Sequence, residues 1–169
     1  STGTFLIDYL SGGQEISDDN FGDFHQQVSV FLQAATETTA ALTSWTIMLL
    51  SENPQYWEKL KSEIDEVGTT DSYTAIANLR LLDAVINESL RLYPPAWLIP
   101  RIARVDTTIG GMKVSSGTRV VASPYVSHRM SEFFEQPDAF LPERWLRETE
   151  ALPRGLFYPF GMGNRICIL

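Results

Sequence analysis

One long segment with helical periodicity dominates the N-terminal part of this 169-residue chain. Helix-capping residues, Ser17-Asp18-Asp19-Asn20, open it, and acids in a first turn favour the positive end of the helix dipole. Apolar residues then recur at helical spacing to about Leu50, and Asn53-Pro54 closes the segment. Because this helix is apolar around much of its circumference, other elements must cover it on several sides.

Two shorter helices and a change of period follow this segment. Residues 54–67 and 78–92 place apolar side chains at helical spacing, so each predicts an amphipathic helix. β-favouring runs separated by glycine and serine turns occupy residues 97–122 and predict a small sheet. The expected strands are Trp97-Leu98-Ile99, Thr107-Thr108-Ile109 and Thr118-Arg119-Val120-Val121. Residues 137–159 are rich in proline and aromatic residues without a regular period, so we expect an irregular meander there.

Together these segments predict a mainly α fold with a small β-sheet, and residues 4–10 predict the end of an earlier helix. The net charge of −8 argues against nucleic acid as a partner, because phosphate binding requires a basic surface. A single cysteine cannot form an internal disulfide. The chain does not open with a basic region and an apolar core, so no leader peptide is predicted at its start.

The apolar stretch of residues 28–50 is also long enough for a membrane span. Glu37 near its centre would cost roughly 2.5–3.5 kcal/mol on insertion, and Gln33 and Ser44 add further polar groups. A helix buried in a folded domain is therefore the favoured interpretation.

The lone cysteine, Cys167, lies in a loop whose shape favours a chemical role over simple burial. The loop reads Phe160-Gly161-Met162-Gly163-Asn164-Arg165-Ile166-Cys167. Two glycines let the backbone turn tightly at positive φ, so that backbone N–H groups can point at the sulfur. A thiolate held in this way behind an aromatic side chain suits an axial ligand of haem iron, which favours cleavage of the O–O bond.

This loop resembles the haem-binding loop of the cytochrome P450 family, the haem-thiolate monooxygenases, whose pattern is F-x-x-G-x-R-x-C-x-G. Phe160, Gly163, Arg165 and Cys167 match the pattern in spacing, whereas Leu169 stands at the position of its closing glycine. Members of the family are much longer than this chain. We therefore expect a partial catalytic domain, without the N-terminal half and the last helix, and expect it in the cytoplasm if that N-terminal part carries no membrane anchor.

The resemblance assigns a cofactor, haem b (iron protoporphyrin IX), to this loop, with Cys167 as the ligand of the iron. The implied cofactor-binding residues are Cys167, Arg165, Arg101, Phe160, Gly161 and Gly163. The two arginines are expected to bind the haem propionates, because guanidinium groups pair well with carboxylates. His128 is another candidate for a propionate, although a histidine hydrogen-bonded within the fold is the favoured interpretation.

Polar residues in the middle of the long helix are costly unless they are paired or functional. The run Ala34-Ala35-Thr36-Glu37-Thr38-Thr39 resembles the oxygen-activation motif of the family, A/G-G-x-D/E-T-T, with Ala35 in place of the common glycine. The resemblance implies that Glu37 and Thr38 deliver protons to bound oxygen. A threonine that bonds its own i−4 carbonyl can bend a helix, so a local opening of the helix is expected here.

Two further motifs suggest a structural lock. Glu88 and Arg91 are spaced to share one face of a helix, and Pro142-Glu143-Arg144-Trp145 follows in the meander. An isolated pair of this kind is usually a solvated surface contact. These motifs resemble the E-x-x-R and P-E-R-F/W elements of the family, which implies that Glu88, Arg91 and Arg144 form a buried triad without a part in the chemical step.

An apolar substrate pocket is also implied by the resemblance. The expected lining residues are Phe31, Ala34, Ala35, Trp97, Leu98 and Ile99, although plain core residues would have the same composition. The implied reaction inserts one oxygen atom of O2 into an apolar organic substrate, with electrons from a separate reductase or ferredoxin. Two alternatives remain open. One is a haem-thiolate isomerase or dehydratase, against which the Glu37-Thr38 pair argues, and the other is an inactive helical interaction protein in which the motifs are relics.

Overall fold

The computed structural model of the protein describes residues 12–13, 15–68, 73–147, 152–153 and 155–168. The helix end predicted at residues 4–10 and the departure at Leu169 lie outside the described residues. The chain divides into two compact units, one up to Ala40 and one from Ala41 to Ile168. The helix-rich architecture with short antiparallel strands agrees with the predicted fold class.

Helix α1 spans Phe21–Glu52 and begins in the first unit. The predicted capping cluster forms a turn directly before the helix, in which Ser17 N–H donates to Asn20 Oδ1 at 2.8 Å and Phe21 N–H donates to the Ser17 carbonyl at 2.9 Å. At the other end, the Asn53 side-chain amide donates to the Leu49 carbonyl at 2.8 Å and satisfies a group that the helix leaves unpaired. Within the described residues, no helix combines the length and the apolar character that crossing a membrane requires.

Four shorter helices belong to the second unit: α2 (Pro54–Val67), α3 (Tyr73–Ala77), α4 (Arg80–Leu92) and α5 (Pro124–Ser127). The short helix α3 was not predicted, and α4 begins two residues later than the predicted segment of residues 78–92. The start of α4 is fixed from a distance, because the Glu63 carboxylate accepts the backbone N–H groups of Leu81 at 2.8 Å and Leu82 at 3.2 Å. A cap that comes from another helix leaves no local sequence signal.

The core of the second unit lies where the end of α1 meets α2, α4 and the meander. Its buried members are Leu49, Leu50, Tyr56, Leu60, Val85, Leu92 and Phe140. Trp45 of α1 also stacks on Tyr93, with ring centroids 4.2 Å apart and an interplanar angle of 7°. The apolar periodicity of α2 and α4 is therefore used as predicted, to bury one face of each helix.

The strands form two small antiparallel sheets, so the prediction of one small sheet is wrong in its detail. Strand β1 (Ile99–Ile102) pairs with β4 (Arg119–Ala122), and β2 (Thr107–Ile109) pairs with β3 (Met112–Val114). The β2–β3 hairpin turns at Gly110 and Gly111, whose φ angles of 55° and 82° require glycine.

The first predicted strand was placed too early, since only Ile99 of its three residues lies in a strand. The Trp97 carbonyl accepts a hydrogen bond from the Ser123 hydroxyl at 2.9 Å instead of one from a neighbouring strand. The meander that follows β4 and α5 is irregular, as predicted. It contains one 3-10 turn, η1 (Pro142–Trp145), and a second turn, η2 (Gly163–Arg165), lies beyond it in the cysteine loop.

Candidate active site

The cysteine loop is a tight double turn that ends at an exposed thiol. The Gly161 N–H donates to the Tyr158 carbonyl at 3.0 Å, and Ile166 N–H donates to the Gly163 carbonyl at 3.1 Å. The two turns are joined because the Cys167 N–H donates to the Phe160 carbonyl at 2.9 Å. Gly161 and Gly163 have φ angles of 76° and 73°, so the backbone favours glycine at both positions, as predicted.

Exposed apolar side chains accompany the exposed thiol along this loop. Phe160 is 51% exposed, Ile166 53% and Ile168 71%, although large apolar side chains are most often buried. A side chain added at Gly163 would meet no atom within 4 Å, so the loop leaves open space on that side. A thiol among exposed apolar side chains fits a flat, largely apolar ring system that carries a metal, as haem does.

Strand β1 runs beside the cysteine loop. The Ile99 Cδ1 atom lies 3.8 Å from the position that a Cβ on Gly161 would occupy. Arg101 of the same strand is exposed, and its Nη1 donates locally, to the Pro100 carbonyl at 2.8 Å. Arg165 on η2 is exposed as well. Two exposed guanidinium groups on these neighbouring segments fit the two propionates of a haem.

Glu37 and Thr38 lie on α1 in the first unit, and both are exposed in this chain. The Thr38 hydroxyl donates to the Ala34 carbonyl at 2.7 Å, which is the predicted i−4 bond. The predicted local opening of the helix is wrong, because Phe21–Glu52 is helical throughout. The hydroxyl bonds the Ala34 carbonyl within a continuous helix. The role of the two residues in proton delivery stays a prediction.

Glu88 is the centre of the lock that the sequence suggested. Its side chain is fully buried, and its Oε1 accepts from Arg91 Nη2 at 2.8 Å and from Arg144 Nε at 3.0 Å. The Leu141 N–H also donates to Oε1, at 2.9 Å. Burial alone would raise the pKa of Glu88, but the Arg91 hydrogen bonds and charge, with Leu141 and Arg144, hold it below the usual range.

Arg91 is fully buried, and each of its three guanidinium nitrogens donates at least one hydrogen bond. Its Nη1 donates to the carbonyls of His128 at 2.9 Å and Pro137 at 2.6 Å, and Nη2 donates to the Ala139 carbonyl at 3.0 Å. The structure therefore brings together the three residues predicted as a triad. It also shows what the triad stabilises. Backbone carbonyls of the meander accept hydrogen bonds from Arg91, so the buried Glu88–Arg91 pair joins the meander to α4.

Three other polar contacts of this region were missed by sequence reasoning. Trp145 Nε1 donates to Glu88 Oε2 at 2.8 Å, and the Tyr56 hydroxyl donates to Glu143 Oε2 at 2.5 Å. Lys59 Nζ lies 3.2 Å from Glu143 Oε1. Burial and the Glu143 carboxylate raise the pKa of Tyr56, so the phenol stays protonated and donates. The motif P-E-R-W thus contributes Arg144 and Trp145 to the lock and Glu143 to a separate contact with Tyr56 and Lys59, and its run of polar side chains was the available signal.

His128 is fully buried, and its Nε2 accepts the Tyr158 N–H at 3.0 Å. This position agrees with the favoured interpretation, a histidine hydrogen-bonded within the fold, and not with a propionate ligand. Burial and the nearby Arg91 charge lower the pKa of His128 to about 4, so the imidazole is neutral near pH 7.

The residues predicted to line a substrate pocket lie in separate units. Phe31 and Ala35 are half-buried on α1 and Ala34 is exposed, whereas Trp97 and Leu98 are exposed and Ile99 is half-buried beside the cysteine loop. A cavity of about 1220 Å³ is present in the second unit, between α2 and the meander. None of the predicted pocket residues lines it, so their shared role in substrate binding stays a prediction.

Known proteins resemble this chain along nearly its whole length. Residues 4–168 match the family model described as cytochrome P450. Cyclooctatin synthase of Streptomyces melanosporofaciens is 39% identical over 95% of this chain, and pentalenene oxygenase of Streptomyces avermitilis is 36% identical over 96%. A structure of a zebra fish cytochrome P450 with progesterone is 33% identical and superposes with a TM-score of 0.78 over 96% of this chain.

The exposed thiol of the loop at Cys167, with exposed arginines on that loop and on β1, is the arrangement expected of the haem-thiolate class. With the match over residues 4–168, the chain belongs to the cytochrome P450 family, and membership implies a haem cofactor. The chain spans 37% of the length of each of the two Streptomyces relatives and 39% of the zebra fish chain.

Proposed function

We propose that a protein containing this chain is a haem-dependent monooxygenase that inserts one oxygen atom of O2 into an apolar organic substrate. The observation that carries the proposal is the loop that ends at Cys167, which presents one exposed thiol among exposed apolar side chains. The names of the relatives support it, since one is an oxygenase of pentalenene and another is cyclooctat-9-en-7-ol 5-monooxygenase, 37% identical to this chain over 150 residues.

The proposed cofactor is haem b, which supplies O2 binding and cleavage of the O–O bond when it is bound through a thiolate. Cys167 would hold the haem iron through its thiolate, and the hydrogen bond from Cys167 N–H to the Phe160 carbonyl fixes the backbone that carries the sulfur. Arg101 and Arg165 would pair with the propionates, while Phe160 would shield the thiolate from water.

Glu37 and Thr38 would deliver protons during turnover in this proposal. Thr38 Oγ1 donates to the Ala34 carbonyl, so its lone pairs can still accept a hydrogen bond from a donor such as water. Glu37 is exposed on the same helical turn and can exchange protons with solvent. The proposed electron donor is a separate reductase or ferredoxin. The apolar character of Phe31, Trp97, Leu98 and Ile99 supports an apolar substrate.

Replacement of Cys167 by serine tests the assignment in an intact protein that contains this chain. We expect Cys167→Ser to abolish both the thiolate-type band of the reduced carbon-monoxide complex and the oxygenation, because a hydroxyl does not donate charge as a thiolate does. Asn164→Ala is the matched control, since it alters an exposed residue of the same loop and should retain both. A thiolate-type band that survives in Cys167→Ser would overturn the assignment.

A haem-thiolate isomerase or dehydratase would show the same spectrum, so the requirement for O2 and a reductant separates it from the monooxygenase. Product formation from an oxygenated lipid without either reagent would favour that alternative. An inactive interaction protein would give no thiolate-type band at all.

A further inference from the structure

His128 occupies a position between the Glu–Arg lock and the cysteine loop. Its backbone carbonyl accepts Arg91 Nη1 at 2.9 Å, and its side chain accepts the Tyr158 N–H at 3.0 Å. The imidazole packs on the rings of Phe157 and Tyr158, with centroid distances of 5.0 Å and 5.2 Å. One fully buried residue thus contacts both α4 and the segment that leads into the cysteine loop.

The hydrogen bond from Tyr158 determines the tautomer of His128. Because Nε2 accepts, the proton of the neutral ring must be on Nδ1. The backbone of Leu90 and of Arg91 interacts with the ring, but within the described part of the chain no acceptor meets the full geometry of a hydrogen bond to Nδ1. The acceptor at Nε2 is therefore what the imidazole contributes at this position.

A short series of backbone hydrogen bonds joins Tyr158 to the backbone N–H of Cys167. The Tyr158 carbonyl accepts the Gly161 N–H at 3.0 Å and closes the turn over Phe160. The Phe160 carbonyl then accepts the Cys167 N–H at 2.9 Å. A shift of Tyr158 would move this turn, and with it the carbonyl that holds the backbone of Cys167.

We propose that His128 is a positioning residue for the thiolate ligand: its neutral imidazole holds the Tyr158 N–H and so fixes the turn from which Phe160 holds Cys167. The proposal rests on the haem-thiolate function proposed above. The charged groups next to His128 favour the neutral imidazole, because the guanidinium groups of Arg91 and Arg129 both oppose protonation of the ring. A protonated imidazole would lose the acceptor that Tyr158 requires.

Two amide substitutions of His128 in the haem-loaded, intact protein test the role. The side-chain oxygen of His128→Gln can reach the place of Nε2 and accept the Tyr158 N–H. That of His128→Asn reaches only about as far as Nδ1. Ser127→Ala is the control, since it removes a 2.9 Å contact to the Tyr158 hydroxyl and leaves the Tyr158 backbone untouched.

The first readout is the ratio of haem without a thiolate ligand to haem with one, taken from the reduced carbon-monoxide spectrum at equal haem content. We expect His128→Asn to raise this ratio about tenfold, as the loss of one buried hydrogen bond would. His128→Gln and Ser127→Ala should stay near the wild-type ratio. The second readout is hydrogen exchange of the Tyr158 amide, which should be faster in the Asn variant alone.

Equal ratios in the Gln and Asn variants would overturn the proposal, because it would then not matter whether the side-chain oxygen reaches the place of Nε2. Loss of haem from every His128 variant would overturn it as well, since the residue would then support the fold and not the loop. Absence of the thiolate-type band in the wild-type protein would instead contradict the proposed function. In that case, faster Tyr158 exchange in the Asn variant alone would still support the hydrogen bond, and unchanged exchange would overturn it.

Discussion

The indole Nε1 of Trp145 donates to Oε2 of Glu88 at 2.8 Å, although the two residues are 57 positions apart in the chain. Oε1 of the same carboxylate accepts from the Leu141 N–H and from Arg144 Nε. Three donors of one short segment therefore converge on a buried carboxylate of α4. This convergence ties the meander to the helix, and with it the segment that leads into the cysteine loop.

Removal of the charge of Glu88 should destabilise the intact protein strongly. In Glu88→Gln, the fully buried Arg91 loses the charge that compensates its own, which costs roughly 3–5 kcal/mol when a buried pair is broken. Urea unfolding and the haem content of purified protein measure the effect. Glu132→Gln, an exposed carboxylate of the same region, is the control. A normal free energy of unfolding for Glu88→Gln would show that the lock has little structural importance.

Substitution of Trp145 by phenylalanine should have a smaller effect. Phenylalanine keeps an aromatic ring against Phe157, whose centroid lies 4.5 Å from that of Trp145, but lacks the N–H that Glu88 accepts. The carboxylate retains its other donors, so we expect a loss of about 1–2 kcal/mol in the free energy of unfolding. A loss as large as that of Glu88→Gln would mean that packing of the indole outweighs its hydrogen bond.

Stability should fall in mild acid because of His128. The pKa of this buried imidazole is lowered from 6.5 to about 4, so the unfolded chain binds more protons between these two values. The free energy of unfolding should therefore be constant above about pH 6.5 and decrease by up to about 3 kcal/mol toward pH 4. The lowered pKa of Glu88 adds a further loss below its ordinary value of 4.5. His128→Gln should remove the first decrease, and an unchanged pH profile in that variant would contradict the assignment.

Part of this arrangement was readable from the sequence because the interactions are local. The spacing of Glu88 and Arg91 gives one helical face, and the glycines of the cysteine loop have the positive φ that they were expected to supply. The end of α1 near Asn53 follows from the side chain of that residue. In each case the chemical signal and its effect lie within a few residues.

The contacts that were missed join residues far apart in the chain. The start of α4 depends on Glu63, which lies 18 residues before Leu81 in the chain, and Tyr56 meets Glu143 across 87 positions. The early placement of the first strand has the same origin, because the Trp97 carbonyl is bound by Ser123. Sequence periodicity cannot report such partners, since they are set by how the elements pack.

The 169-residue chain expressed alone should aggregate or give little protein. Large apolar side chains are exposed along α1, among them Phe21 at 55%, Val30 at 60% and Ile47 at 59%. Exposed apolar surface of this kind associates, because soluble monomers tolerate only a few hundred Å² of it. Size-exclusion chromatography with light scattering measures the outcome. A monodisperse fragment that melts cooperatively would show that the chain can cover α1 by itself.

Thr38→Ala should change the ratio of peroxide to oxygenated product without changing how haem is bound. In the intact protein we expect a normal reduced carbon-monoxide spectrum, because Thr38 lies on α1, apart in sequence from the loop of Cys167, and its removal costs one bond to the Ala34 carbonyl. We also expect normal consumption of reductant, but more hydrogen peroxide and less oxygenated product. The reason is that, in the proposed function, the Thr38 hydroxyl would direct the proton that leads to oxygenated product, so its loss would divert reduced oxygen to peroxide.

Glu37→Gln should also slow the formation of oxygenated product, since an amide cannot pass a proton from solvent to the Thr38 hydroxyl. Thr43→Ala is the control, because it removes a hydroxyl from the same helix more than one turn further on. The ratio of product to reductant consumed, with peroxide measured in parallel, decides the outcome. If Thr38→Ala and Glu37→Gln both keep the wild-type ratio, the two side chains only pack on the helix. The isomerase or dehydratase alternative would then be favoured over the monooxygenase, because such an enzyme has no use for a proton relay.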